Sequence, residues 1–130
     1  MRRIDLQSVI VTRNRIISNS LCTKGKEYSS SKDALRNFKE ASKMLAKESE
    51  TVLWIWLTKH LECLQSWIEE LEQTKSLPQS KMKWDEKITD SINYLILLDG
   101  LLTERITDAK QKEKRENPPI VVDTDFERND

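Results

Sequence analysis

Glycine and proline are scarce in this chain: 130 residues contain two glycines and three prolines. Left-handed and tight-turn backbone conformations depend heavily on glycine, and proline is the other strong punctuator of chain direction. A sandwich or barrel built on many tight turns is therefore disfavoured, and so is a glycine-rich loop that cradles phosphate. Long helices remain. Hydrophobic residues at 37% suffice for one core, and charged residues at 34% imply long solvated faces. The length suits one domain.

Hydrophobic spacing predicts four helices. Asp5 is positioned to cap the first, which sets Leu6, Val9, Ile10 and Ile17 on one stripe before Ser18-Asn19-Ser20. Leu21 to Ser31, with Gly25 and a serine cluster, reads as a loop. Ser30 or Ser31 would cap the second helix, with Asp33 in its first turn and a stripe of Ala34, Leu35, Phe38, Ala41, Met44 and Leu45. The third, about Glu48–Gln73, places Leu53, Trp56, Leu57, Leu64, Trp67 and Leu71 on one face, with Trp54, Leu61 and Ile68 as a second row. An apolar arc that wide belongs to a central helix packed on two sides. The fourth, about Trp84–Ile106, is expected to turn Ile88, Ile92, Leu95, Ile96, Leu98, Leu102 and Ile106 inward, with a mild interruption at Asp99-Gly100. From Asp108 the pattern gives way to alternating charges. The expected organisation is an all-α, four-helix bundle-like domain over residues 1–107 and a charged, disordered tail over 108–130.

Twenty-two Lys and Arg balance twenty-two Asp and Glu, so the net charge is zero. Binding nucleic acid or an anionic membrane through bulk charge needs a basic excess that this chain lacks. Cys22 and Cys63 form no paired motif, which fits a reducing setting. No apolar run approaches the roughly 20 residues that span a bilayer, and Met1–Ile10 has no signal-peptide pattern. The expectation is a soluble cytoplasmic protein.

Chemistry-bearing residues gather in three places. Glu69 and Glu72 share a face of the third helix, and Glu86 and Asp90 share one of the fourth. An antiparallel hairpin would bring these acids toward one another, and oxygen-rich clusters hold Mg²⁺; the other reading is a solvated helix end. His60, the single histidine, lies on the apolar face of the third helix beside Lys59, and Asn93 follows Asp90 by one turn. Lys24, Lys26 and Tyr28 supply two cations and an aromatic ring suited to phosphate and base.

The order KGKEYS (24–29), ALRNF (34–38), WLTKHL (56–61) and EKITDSINYLILLDGLL (86–102) resembles small phage and bacterial proteins at the margin of the all-α, MazG-like nucleotide pyrophosphohydrolase superfamily. The likeness spans Leu21 to Arg105, and Asp90, Asn93 and Tyr94 are its most specific part. It implies a helical bundle, often a dimer or tetramer. It also implies Mg²⁺-dependent splitting of nucleoside triphosphates into monophosphate and pyrophosphate. Carried over, Glu69, Glu72, Glu86 and Asp90 would hold metal, with Glu86 and Asp90 catalytic. Lys24, Lys26, Tyr28, Lys59, His60 and Asn93 would contact nucleotide. The last acidic pair is spaced E-x-x-x-D, with Thr89 where the tighter spacing needs an acid, and a second alignment sets Lys59 and His60 opposite Asp90. The expected function is such a hydrolase or a nucleotide-binding relative. The alternative is a non-catalytic helical interaction protein, acting through a homo-oligomer or a host-protein interface.

Overall fold

A computed structural model describes residues 1–28 and 33–120, with only the backbone for 24–28. It is all-α: α1 (Arg3–Tyr28), α2 (Arg36–Leu45), α3 (Ser49–Thr74) and α4 (Lys81–Glu116). Among the described residues there is no strand. No described helix is long and apolar enough to cross a membrane.

Helix boundaries reflect the shortage of glycine. α2 and α3 end on Ala46 and Lys75, both left-handed with φ of 51° and 58°, a conformation usually taken by glycine. Lys75 N–H closes α3 onto the Leu71 carbonyl at 2.8 Å. Ser80 caps α4, its hydroxyl accepting from Lys83 N–H. Ahead of α2, Asp33 accepts from Leu35 N–H at 3.0 Å and pairs with Lys39. Asp33 therefore precedes the helix rather than standing in its first turn, and the expected Ser30 or Ser31 cap lies outside the described residues. The stretch from Leu21, expected as a loop, continues α1 helically to Tyr28. One glycine costs a helix only about 1 kcal/mol, and the preceding turns carry the helix through it. α4 likewise runs on to Glu116, past the helix end expected at about Ile106, and residues 121–130 lie outside the description.

α3 and α4 form an antiparallel hairpin. Trp67 packs edge-on against Trp84 near the connection, and at the far end Arg105 bonds to Glu48 and Glu50. α2 lies across the hairpin, Phe38 meeting Trp56 at 5.3 Å and Tyr94 at 6.2 Å between ring centroids. Leu35, Phe38, Val52, Leu53 and Leu101 form the buried cluster. The expected inner face of α3 is observed: Leu53 and Leu57 are buried, and Trp56, Leu64, Trp67 and Leu71 are half-buried.

α1 runs parallel to α4, and the contacts between them are largely polar. Arg13 donates to Thr89 Oγ1 at 2.6 Å and to Asp85 Oδ1 at 2.9 Å. One turn and more further along, Asn93 Nδ2 donates to Ser20 Oγ at 2.9 Å. Of the expected stripe on α1, Ile17 is buried while Leu6, Val9 and Ile10 stay exposed.

The inward set expected for α4 is corrected. Thr89, Ser91, Asn93 and Leu101 are buried, whereas Leu95, Ile96, Leu102 and Ile106 are exposed. The cause is the company α4 keeps. The polar groups of α1 and the aromatic rings near Tyr94 take its mixed face, leaving its most apolar stripe on the side that no described helix covers.

Two stability outcomes follow from this packing. Leu57→Ala, at 1% exposure, should lower unfolding free energy by about 2–5 kcal/mol in urea titration. Gly100→Ala should raise it by about 0.5–1 kcal/mol. The added Cβ would meet Leu35 methyls at 3.6 and 3.7 Å, ordinary contact, in a continuous helix.

Candidate functional site

The hairpin register decides which expected site residues meet. With Trp67 against Trp84 and Glu50 against Arg105, Asp90 falls opposite His60. His60 Nδ1 lies 3.9 Å from Asp90 Oδ2, beyond hydrogen-bonding reach, and its ring packs on Tyr94 with centroids 5.1 Å apart. Both His60 and Asp90 are about one-fifth exposed at the side chain. This is the second alignment of the sequence, the one that faces His60 toward Asp90.

The four acids expected to hold Mg²⁺ are not brought together within one chain. Glu69 and Glu72 sit nine and twelve positions beyond His60 on α3, which sets Glu69 about 13 Å further along the helix axis. Glu69 accepts from Gln65 and Glu72 pairs with Lys75, both at the surface. Glu86 is exposed on α4, one turn from half-buried Asp90. Among the described residues no group of three or more His, Cys, Asp or Glu side chains is placed to hold a metal ion. An antiparallel hairpin aligns only residues at equal distance from its turn. Glu69 and Glu72 are too near that turn to reach Asp90, so the residues present do not fit the ion.

The nucleotide-contact set divides as well. Lys59 is exposed. Lys24, Lys26 and Tyr28 belong to the last two turns of α1, and their side chains lie outside the described residues. Asn93 is buried, but it turns toward α1, where its amide donates to Ser20 while Oδ1 has no hydrogen-bond partner. His60 Nδ1 is likewise buried without one. Most buried polar atoms in proteins are hydrogen-bonded to protein or water, and Trp84 Nε1 is a third such atom among the described residues.

Two shallow grooves lie elsewhere. One, of about 380 Å³, is lined by Lys39, Glu50, Glu104, Arg105 and Lys112 among others. The second, of about 230 Å³, is lined by Arg13, Lys81 and Asp85 with neighbouring α1 residues. Their cations are already engaged: Lys39 by Asp33 and Glu104, Arg105 by Glu48 and Glu50, Arg13 and Lys81 by Asp85. These pairs hold the Glu50 and Asp85 carboxyls below the usual carboxylate range, through hydrogen bonds from Arg105 and from Lys81 and Arg13 respectively. Lys112, which also lines the first groove, is exposed and stands 3.9 Å from Glu116. The residues that sequence reasoning missed are Arg13 and Ser20, which dock α1 on the mixed face of α4. In sequence they are an arginine and a serine within polar stretches, Thr12-Arg13-Asn14 and Ser18-Asn19-Ser20.

Burial pushes the His60 imidazole below its ordinary pKa, the nearby Lys87 charge adds to this, and Asp90 opposes it. The native state therefore binds fewer protons than the unfolded chain once pH falls below the unfolded value of about 6.5. Stability should hold above that pH and decline as pH drops through the window between the unfolded and the lowered native value. Urea midpoints at pH 7.5 and 5.5 check this, and the acid-side loss should shrink in His60→Gln. An equal loss in the variant would remove His60 as its source.

No protein-family model, no curated protein and no solved structure matches this chain.

Proposed function

We propose that this chain is a nucleotide-binding helical protein, a relative of the pyrophosphohydrolases it resembles, with His60, Asp90 and Tyr94 as its polar and aromatic centre. The observation that carries the reading is the buried, unpartnered Nδ1 of His60 beside Asp90 and stacked near Tyr94. A buried nitrogen of this kind costs stability unless a ligand completes it. An imidazole, a carboxylate and a phenol ring together suit recognition of a base or sugar. Lys87, whose charge reaches His60, and Lys59 beside it supply the positive field that a phosphate chain requires. The net-neutral chain is compatible with this, because one small anion needs only a local field. Splitting the triphosphate into monophosphate and pyrophosphate is the reaction that the resemblance implies. The four acids do not converge on an ion within one chain.

A second reading has its own support. Trp54, Leu61 and Ile68 on α3 and Leu95, Leu102 and Ile106 on α4 are exposed, which suits a non-catalytic interaction protein.

Thermal unfolding against a panel of nucleoside triphosphates, with and without Mg²⁺, separates the two readings. Binding to the native state should raise the melting temperature, by a linkage term of about 2.7 kcal/mol at one hundred times Kd. The rise should vanish in His60→Ala. Pyrophosphate release in the same mixtures tests hydrolysis, and dependence on Mg²⁺ there would require acids supplied from outside the single chain. A panel in which no nucleotide shifts the melting temperature overturns the nucleotide reading.

A further inference from the structure

Helix α2 crosses one side of the α3–α4 hairpin, α1 flanks α4, and no described helix lies on the hairpin's other side. On α3, Trp56 faces α2, while His60 and Trp67 face α4. At 100° per residue, the next sector of α3 carries Trp54, Leu61 and Ile68, one at every seventh residue. On α4, Asn93 faces α1, Asp90 and Tyr94 face α3, and the sector beyond carries Leu95, Leu102 and Ile106. Because the two helices are antiparallel, both sectors open to the side away from α2. All six side chains are between 39% and 56% exposed.

Charge along this face is one-sided. α3 carries five acids, Glu50, Glu62, Glu69, Glu70 and Glu72, against one lysine, Lys59, in a chain whose net charge is zero. Glu50 is taken by Arg105 and Glu72 by Lys75. Lys59 follows buried Val52 by seven residues, which puts it on the α2 side of α3. Glu62 and Glu69 directly follow Leu61 and Ile68, so they repeat with the same period along the outer margin of the apolar row. Both are exposed. Glu69 accepts from the neutral Gln65, and neither acid pairs with a cation among the described residues. On the α4 half, Asp99 interrupts the stripe midway. Cations approach that half only toward its ends, at Lys110 and at Lys81, which Asp85 already holds.

An apolar row with a seven-residue period is a surface on which another helix packs, and the charges beside such a row select the partner. Unpaired acids at that spacing favour a helix with Lys or Arg beside its own apolar stripe. A second copy of this chain would bring the same acids to the contact and no row of cations to meet them, the less favourable pairing.

We infer that the outer face of the α3–α4 hairpin docks a basic amphipathic helix of another protein. The partner's apolar stripe lies on Trp54, Leu61, Ile68, Leu95 and Leu102, and its Lys or Arg side chains meet Glu62 and Glu69. This assignment rests on the interaction-protein reading of function and is independent of nucleotide binding.

Three synthetic helical peptides test it, each free of tryptophan, with the same leucine stripe at heptad spacing and flanks of lysine, glutamine or glutamate. Titrated into the full chain, the lysine peptide should blue-shift tryptophan emission as Trp54 leaves water. It should bind about tenfold or more tightly than the glutamate peptide. The double variant Glu62→Gln, Glu69→Gln should lose most of that preference. Leu61→Glu should abolish binding although it adds negative charge, which separates seating on the face from attraction by charge alone. The three substituted residues are exposed, so helical circular dichroism should persist. Equal binding of all three peptides leaves the interaction reading standing and overturns the basic partner. Binding of none overturns both. A lysine peptide that binds Leu61→Glu as tightly as the wild type also overturns the assignment. So does a face taken by a second copy, seen as sedimentation at twice 15.3 kDa that reverts to single chains in Leu61→Glu.

Discussion

The antiparallel register of α3 against α4 is the constraint on which the rest of the molecule depends. Two contacts far apart along the hairpin, Trp67 with Trp84 and Arg105 with Glu48 and Glu50, fix it at both ends. Once those are set, Asp90 stands opposite His60. The same register carries Glu69 and Glu72 to the turn and away from Asp90. One geometric choice therefore assembles a histidine–aspartate–tyrosine centre and keeps the four acids from forming a cluster.

α4 has an unusual division of labour. Its inner side is mixed: Thr89, Asn93 and Tyr94 meet Arg13, Ser20, Phe38 and His60, while Leu101 joins the buried cluster with Leu97 and Leu98 beside it. Its aliphatic side faces away from α1 and α2. Leu95, Leu102 and Ile106 stay exposed there, although aliphatic burial is the largest favourable contribution to folding. The chain's shortage of glycine belongs to the same design: a few long helices, ended at Ala46 and Lys75 by left-handed residues, give rigid faces rather than adaptable loops.

Much of the fold was legible from spacing alone, and the reasons differ by helix. α3 was read well because its inner face is mostly apolar from Leu53 to Leu71, with His60 as a polar exception. α1 was read short because the rule that glycine and serine end helices is a weak one, and Gly25 is a single such residue within a longer helical run. The candidate site was half legible. One of the two alignments that the resemblance offers faces Lys59 and His60 toward Asp90, and the hairpin brings His60 there. The docking of Asn93 onto Ser20 was not legible, because nothing in the sequence says where α1 lies.

The sequence by itself determined the class: four helices, no room for a turn-rich sheet, and an apolar stripe on each of the two longest. Periodicity shows that a stripe exists because side chains three and four apart share a face of any helix. Only the tertiary structure decided which stripe meets which neighbour. On α4 both faces could have been buried. Their fate turned on long-range partners, Arg13 seventy-two positions before Asp85 and Ser20 seventy-three before Asn93, whose pairing no local pattern encodes.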